Sequence, residues 1–447
     1  MKNIRRFAII LGTGALIGGC QGPCSKIDLG APAVQTANVD FSRYVAVGTS
    51  ISAGYQSGGM VDRHQINSYP AIFARQIGKT VQLNGQGSFS EPTVNGNGLP
   101  ALQRLLALSP RLIIQPVGPD GTPTNTTFPT PYSNLAIPGA LLFDYGSNAL
   151  YGLNPATGLV LRGLGTVKAL ALAQQPTFVS FEYGANEVLG SATRGTSRLL
   201  LPQADAGVFA TLLTSELAEL HSANPNVKVA LANVPDVTSI PFFTTVSSAG
   251  LYGLVHRTIA APSPRAGQDT TVAAALSSSD LVTLRAAAAL GTGQGFSLAN
   301  PLDDSLVLDE GERAVIDNAV ARMNAAIDQA AQASWIAKVD FNGALADIRQ
   351  NGLNLGGTHY SDAFVRGGLF SLDGVHPTDL AHAVIANVMI DAVNKRFGTH
   401  VPYARLLDYA TLTSSSARPA WGEGRSNIPE RIDGLEGMIE MLSPGRH

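Results

Sequence analysis

Apolar runs of strand length recur along the chain and alternate with longer stretches of helical spacing. Tyr44 to Gly48 reads as a buried strand, and Ser50 begins the loop beyond it. Ser68-Tyr69-Pro70 opens a helix over 71–77, with Ser68 placed to cap it. Asn134 to Ala140 is a short strand ending in a turn, and 164–173 a helix. A further strand over 177–183 has Gly184-Ala185-Asn186-Glu187 at its end. Helix 204–224, strand 227–234, helix 309–333, strand 336–341 and helix 378–397 follow. Strands alternating with helices predict a parallel sheet covered on both faces, with ligands gathering beyond the carboxyl ends of the strands. Two stretches break the alternation. The segment from 78 to about 132 is rich in Gly, Pro, Asn and Thr, with one short apolar run over 99–108. The segment 240–301 is irregular, with an alanine-rich helical patch over 281–290. Long connections of this kind in compact domains tend to cover or bind, and the first reads as an insertion over the site.

The polar residues that carry chemistry fall where strands meet loops. In Ser371-Leu372-Asp373-Gly374-Val375-His376-Pro377, a carboxylate and an imidazole sit three residues apart at a turn before the last helix. A carboxylate that orients one ring nitrogen makes the other a general base near neutral pH. Ser50 is the candidate nucleophile, since a hydroxyl needs such a base to become reactive. The backbone amides of Ser50 and Gly139 and the side-chain amide of Asn186 can supply the donors that a developing oxyanion requires. Gly139, lacking a side chain, allows close approach of a substrate oxygen. Each group alone has a plainer reading: Asp373 as a helix-entry cap, Gly139 after Pro138 and Asn186 as turn residues. Their joint order favours catalysis.

The remaining histidines read differently. His64, beside Asp62, is the rival base but has no oxyanion partners, while His221, His256, His359 and His382 read as structural or exposed. Asp303, Asp304, Asp309 and Glu310 read as helix-start charges. No Cys/His cluster has zinc spacing and no glycine loop has the phosphate-cradling pattern, so neither metal nor cofactor is expected.

Composition narrows the setting. A net charge of −3 over 447 residues, with no basic run, argues against nucleic acid as a partner. Charged residues at 14% against 45% hydrophobic, with 47 glycines and 26 prolines, suggest small-residue helices joined by long loops. Lys2, Arg5 and Arg6 precede an apolar run over 7–17 that is too short to span a bilayer and has the shape of a secretory signal. It ends in Leu16-Ile17-Gly18-Gly19-Cys20, which resembles the bacterial lipobox and implies lipidation at Cys20. The alternative is a simple cleaved signal with an incidental cysteine. Gln21 after the cysteine favours the outer membrane of a bacterial envelope, with the membrane reached through the lipid anchor. The only other cysteine, Cys24, then has no partner within the chain.

These motifs together resemble the SGNH (GDSL-like) hydrolases, whose signature residues are a serine, a glycine, an asparagine and a histidine in that order. Gly48-Thr49-Ser50-Ile51-Ser52 is similar to the first block, and Asn134-Leu135-Ala136-Ile137-Pro138-Gly139-Ala140 to the second. Gly184-Ala185-Asn186-Glu187 is similar to the third and Asp373-Gly374-Val375-His376-Pro377 to the fourth. Two departures stand out: Thr49 and Glu187 occupy positions where the family usually has aspartate. The resemblance implies a three-layer α/β/α, flavodoxin-like fold with a roughly five-stranded parallel sheet. It further implies ester hydrolysis without cofactor, by Ser50, His376 and Asp373, on substrates ranging over lipids, acylated glycans and small esters. The expected organisation is a signal peptide over 1–20, a linker over 21–38, a hydrolase domain over 39–399 and an extension over 400–447. The insertions fall at about 79–131 and 240–301. The competing function is a non-catalytic envelope lipoprotein that uses the same scaffold to bind glycan, lipid or protein.

Overall fold

The computed structural model describes residues 34–82, 87–107, 112–148, 154–197, 204–261 and 270–410. The signal pattern, Cys20, Cys24 and most of the expected carboxyl-terminal extension lie outside the described residues. Four strands form the central sheet: β1 (Tyr44–Val47), β2 (Phe178–Phe181), β3 (Lys228–Ala232) and β4 (Ile336–Val339). They lie in that spatial order and every pair is parallel, so the expected α/β architecture is met.

The resemblance implied roughly five strands, and the fifth place is taken by an irregular stretch. The Ala46 amide donates to Ser133 O, Leu135 N to Ala46 O and Ile137 N to Gly48 O, at 2.8, 2.8 and 3.0 Å. Pro138 follows at once, and without an N–H it cannot extend the ladder. In chain order the positions run 2-1-3-4-5, the flavodoxin-like winding, whose direction reverses between β1 and β2.

Alternate residues of each strand feed opposite faces, as a period of two requires. Val45, Val47, Val179, Phe181, Val229, Leu231 and Ile336 pack on one side against helices α2 (Val167–Ala173), α4 (Ala206–Ala223) and α5 (Glu310–Ala330). Tyr44, Ala46, Phe178, Ala230, Ala232, Ala337 and Val339 pack on the other, against α1 (Tyr69–Gln76) and α7 (Asp379–Phe397). Two further helices are α3 (Asn186–Ala192) and α6 (Phe341–Asn351). On the second face, alanines let α7 sit close while an aromatic cluster fills the end beside α1. Phe73 stacks on Phe178 at 5.3 Å between ring centres and meets Tyr44 edge-on at 5.3 Å. Such pairs contribute about 0.5–1.5 kcal/mol each beyond the area they bury.

Capping chemistry sets the helix ends. Ser68 Oγ accepts from Ala71 N, and Thr378 Oγ1 from Ala381 N. Asp309 and Glu312 form a reciprocal capping box, which accounts for the acidic start expected at Asp309.

The two insertions carry more structure than their composition suggests. The first contains the antiparallel pair Gln103–Ala107 with Ile113–Pro116. The second contains His256–Ala261 with Thr270–Ala275 and a small core of its own, including Val246, Leu251, Val282, Leu290 and Leu302. The alanine-rich patch expected as helix over 281–290 splits into a strand, Leu281–Val282, and a helix, Ala286–Leu290. Arg257, buried beside this core, pairs with Asp280 at 3.0 Å and lies 3.6 and 3.5 Å from Asp304 and Asp309. Residues on either side of the expected domain limits also pair, Gln35 with His400, and Val401, Ala404 and Tyr409 are buried on the α7 face. Among the described residues, no helix is long and apolar enough to cross a membrane.

Candidate active site

Ser50 follows β1 at a turn in which Ala53 N donates to Thr49 O and Tyr55 N to Ser50 O, both at 3.0 Å. The chain then doubles back so that residues 57 and 58 meet the distant turn 371–376. Ser57 N donates to Ser371 Oγ at 2.9 Å, and Gly58 N to Asp373 Oδ2 at 3.0 Å. The turn itself is closed by Gly374 N to Ser371 O and Ser371 N to His376 O, at 2.9 and 2.8 Å. From the second insertion, Phe242 N donates to Gly374 O at 2.8 Å. Two loops separated by more than three hundred positions are thereby locked together.

The result is a continuous row. His376 Nε2 lies 2.8 Å from Ser50 Oγ, and His376 Nδ1 lies 2.9 Å from Asp373 Oδ2. Asp373 Oδ1 accepts from Val375 N and His376 N at 2.9 Å each and from Ser371 Oγ at 3.0 Å. Burial opposes the Asp373 charge, but the His376 imidazole and these amides outweigh it and hold the carboxyl at about 2. The acid is therefore an anion throughout the neutral range and fixes the imidazole tautomer by accepting from Nδ1. Tyr55 lies against the imidazole, 4.8 Å between ring centres, and burial together with the Asp373 charge pushes its phenol to about 12. It stays neutral and serves as a wall.

The three proposed oxyanion donors are placed by neighbouring loops. Gly139 has φ +80°, a left-handed conformation that a side chain disfavours, which explains glycine after Pro138. Asn186 is the first residue of α3, and its Nδ2 donates to Ala140 O at 2.9 Å, leaving its second amide hydrogen for a ligand. Among the described residues, the amides of Ser50 and Gly139 have no acceptor. Unpaired donors beside a serine held by a histidine suit the charge that develops when a carbonyl is attacked.

The family departures at Thr49 and Glu187 have structural counterparts, and one involves a residue the sequence reading passed over. Glu182, at the end of β2, is buried and collects donors from the turn that carries Ser50. Thr49 N, Thr49 Oγ1 and Ser52 Oγ all lie 2.9 Å from its carboxylate. Burial pushes its pKa up against these donors. Gly48 belongs to the same arrangement: a Cβ there would lie 2.8 Å from Glu182 Oε2 and would collide with Ser52 Oγ. The visible signal was an acid within an otherwise apolar strand, with nothing in the local sequence to name its partner. Glu187 is also buried; Oε1 accepts from Leu142 N at 2.7 Å, and burial, with the Glu182 and Asp144 charges, pushes it to about 7.

The other histidines fall outside this row. His64 does not pair with its neighbour Asp62; it is buried against Asp379, with Nδ1 3.0 Å from Oδ1. His382 is fully buried, and neither ring nitrogen has a partner among the described residues. His221 stacks on Trp335 at 4.5 Å, and His359 Nδ1 meets Asn354 Oδ1 at 3.0 Å. Among the described residues no cluster of three metal-ligating side chains occurs.

Comparison with known proteins gives a family match and distant structural likenesses. The model of the GDSL-like Lipase/Acylhydrolase family matches residues 44–389. No curated protein matches the chain. Among solved structures, one described as a GDSL-like lipase from Parabacteroides merdae ATCC 43184 is 12% identical, with a TM-score of 0.34. It covers 80% of this chain and 98% of its own. An extracellular lipase from Streptomyces rimosus is 14% identical with a TM-score of 0.35, over 78% of this chain and 98% of its own.

Proposed function

The chain belongs to the GDSL-like lipase/acylhydrolase family, and from that premise we propose that it hydrolyses carboxylic esters through an acyl-serine intermediate on Ser50. The observation that carries this reading is the row Ser50, His376 and Asp373, with contacts of 2.8 and 2.9 Å. Ser50 Oγ attacks the carbonyl carbon while its proton passes to His376 Nε2, and Asp373 stabilises the imidazolium that forms. The tetrahedral oxyanion takes the amides of Ser50 and Gly139 and the free amide hydrogen of Asn186. Collapse expels the alcohol, which leaves with the proton from His376. Water then attacks the acyl-serine, delivers its proton to His376, and releases the acid as Ser50 recovers its hydrogen.

An apolar cavity of about 80 Å³ lies beside the site, with Ile51 following the nucleophile and Val375 and Pro377 flanking the histidine among its lining residues. It is small beside the roughly 300–1,000 Å³ of drug-sized ligand sites, and none of Ser50, Gly139, Asn186 and His376 lines it. The setting we propose is a bacterial envelope, with Cys20 lipidated and the enzyme held at a membrane surface.

A fluorophosphonate probe tests the central claim, since it reacts with an activated serine and not with an inert one. Labelling should map to Ser50, and Ser50→Ala should lose both labelling and turnover of 4-nitrophenyl butyrate. Undiminished turnover in that variant would end the assignment of Ser50, and a wild-type chain that neither labels nor turns over the ester would favour a binding protein on this scaffold.

A further inference from the structure

Beyond the triad's acid side lies a second, larger opening. It has a volume of about 570 Å³, and both insertions contribute to it. Ile114 comes from the first insertion, Phe242 and Leu284 from the second, and Val375 from the turn that carries Asp373 and His376. These side chains give the opening an apolar lining. Into it also come Arg194, just past the end of α3, and Arg285, at the start of the helix Ala286–Leu290.

The two arginines are exposed and their charges are not neutralised. Among the described residues the Arg194 side chain has neither an acceptor nor a counter-ion. Arg285 donates to the carbonyls of Thr193 and Ser305, which are neutral groups. Burial, followed by the Arg194 charge, lowers the Arg285 pKa, so the two guanidiniums repel one another. Asp373 lines the same opening but is occupied: both of its oxygens are taken up by the His376 ring and by backbone and hydroxyl donors. Two like charges held together without a carboxylate form a standing site for an anion, and guanidiniums bind planar oxyanions through paired hydrogen bonds.

We propose that this cleft receives the alcohol portion of the ester, and that Arg194 and Arg285 select alcohols bearing a compact oxyanion, phosphate or carboxylate, next to an apolar segment. The inference rests on the serine-ester reading above. The turn that carries His376, which returns the proton to the departing alcohol, lines the cleft through Leu372, Asp373 and Val375.

The test uses the full chain and three butyrate esters: of glycerol, of glycerol 3-phosphate and of glyceric acid, with 4-nitrophenyl butyrate as a control for the serine chemistry. The readout is the ratio of kcat/KM for each anionic ester to that for the neutral one, measured within each variant. Wild type should favour at least one anionic ester by about tenfold, the scale of a charge-assisted hydrogen bond. Whichever of the two gains more identifies the anion. Arg194→Glu, altering a side chain with no partner to lose, should bring the ratio to unity or below, and Arg194→Lys should retain part of it. Added salt should shrink the ratio, because the screening length falls from about 10 Å at 0.1 M to about 3 Å at 1 M. A wild-type ratio of one, or a ratio unaltered in Arg194→Glu, overturns the inference while leaving the serine chemistry standing. No turnover of 4-nitrophenyl butyrate by the wild type overturns both.

Discussion

Two histidine–aspartate pairs draw their aspartates from one short stretch of this chain, and they have opposite surroundings. His376 and Asp373 meet at 2.9 Å, and the far nitrogen of the imidazole reaches Ser50 Oγ at 2.8 Å. His64 and Asp379 meet at 3.0 Å, closer to the interior, where the aspartate also accepts from Gln56 Nε2 at 2.7 Å. Asp373 ends in a turn held by backbone donors; Asp379 is the first residue of α7, where the helix dipole also favours an anion. In both pairs burial opposes the aspartate's charge and the imidazole beside it restores that charge, so both carboxyls sit below the ordinary range. Local chemistry therefore does not distinguish them. The third partner does: a hydroxyl with unpaired amides around it in one case, a packed interior in the other. An aspartate beside a histidine is a catalytic device only where a nucleophile closes the row.

Substitutions should separate the two pairs sharply. His376→Ala should lower kcat by roughly 10⁴–10⁶-fold, the range found when a member of a serine triad is removed. His64→Ala should retain most of kcat and instead lower the unfolding midpoint. Comparable activity losses for both would erase the distinction drawn above. The aspartates refine it. Asp373→Asn should cost about 10⁴-fold in kcat, because the amide no longer fixes the productive tautomer. Asp379→Asn should leave kcat largely intact while lowering the unfolding free energy by about 2 kcal/mol, the scale of a lost hydrogen bond to a charged group. Denaturant titration beside ester kinetics reads both quantities, and an Asp379→Asn enzyme that is as stable as wild type would show the inner pair to be idle.

The same contrast explains what could be seen in the sequence. The strand ends were legible because period-two runs and the turn residues after them are local signals, and the order of Ser50, Gly139, Asn186 and His376 made their meeting at one sheet edge a reasonable expectation. Partnerships across long separations were not legible. His64 stands beside Asp62 in the chain, yet its partner is Asp379, 315 positions away. Glu182 supports the Ser50 turn from 133 positions away, taking donors at Thr49 where the family usually has an acid. The hairpins within the insertions were hidden for a different reason. Gln103–Ala107 alternates between half-buried and exposed positions and never reaches the core, so its pattern stays too faint to separate from loop.

The smallest effect concerns the histidine that packs beneath both pairs. His382 lies one helical turn beyond Asp379 and is fully buried without a partner for either nitrogen among the described residues. Burial dominates there and drives its pKa to about 3; the Asp379 charge works the other way, while His376 and His64 reinforce the drop. Its ordinary value is about 6.5, so only the unfolded chain takes up the proton between those limits. The stability that depends on a neutral His382 is complete above about pH 6.5 and is lost as pH falls toward 3. Asp373 and Asp379, with lowered pKa values, lose their contributions only further down, below the ordinary aspartate value of about 3.9. Glu91 and Glu187, which burial pushes to about 8 and about 7, work the other way in the upper window, so the His382 contribution is read as a difference between wild type and variant. His382→Leu, which exchanges an unpaired polar ring for an apolar side chain of similar size, should remove the His382 loss below pH 6.5 and change stability at pH 8 by no more than about 1 kcal/mol. Unfolding midpoints measured from pH 8 to pH 4 decide it: a variant whose midpoint follows wild type's between pH 6.5 and 4 would mean that His382 does not shape the acid response.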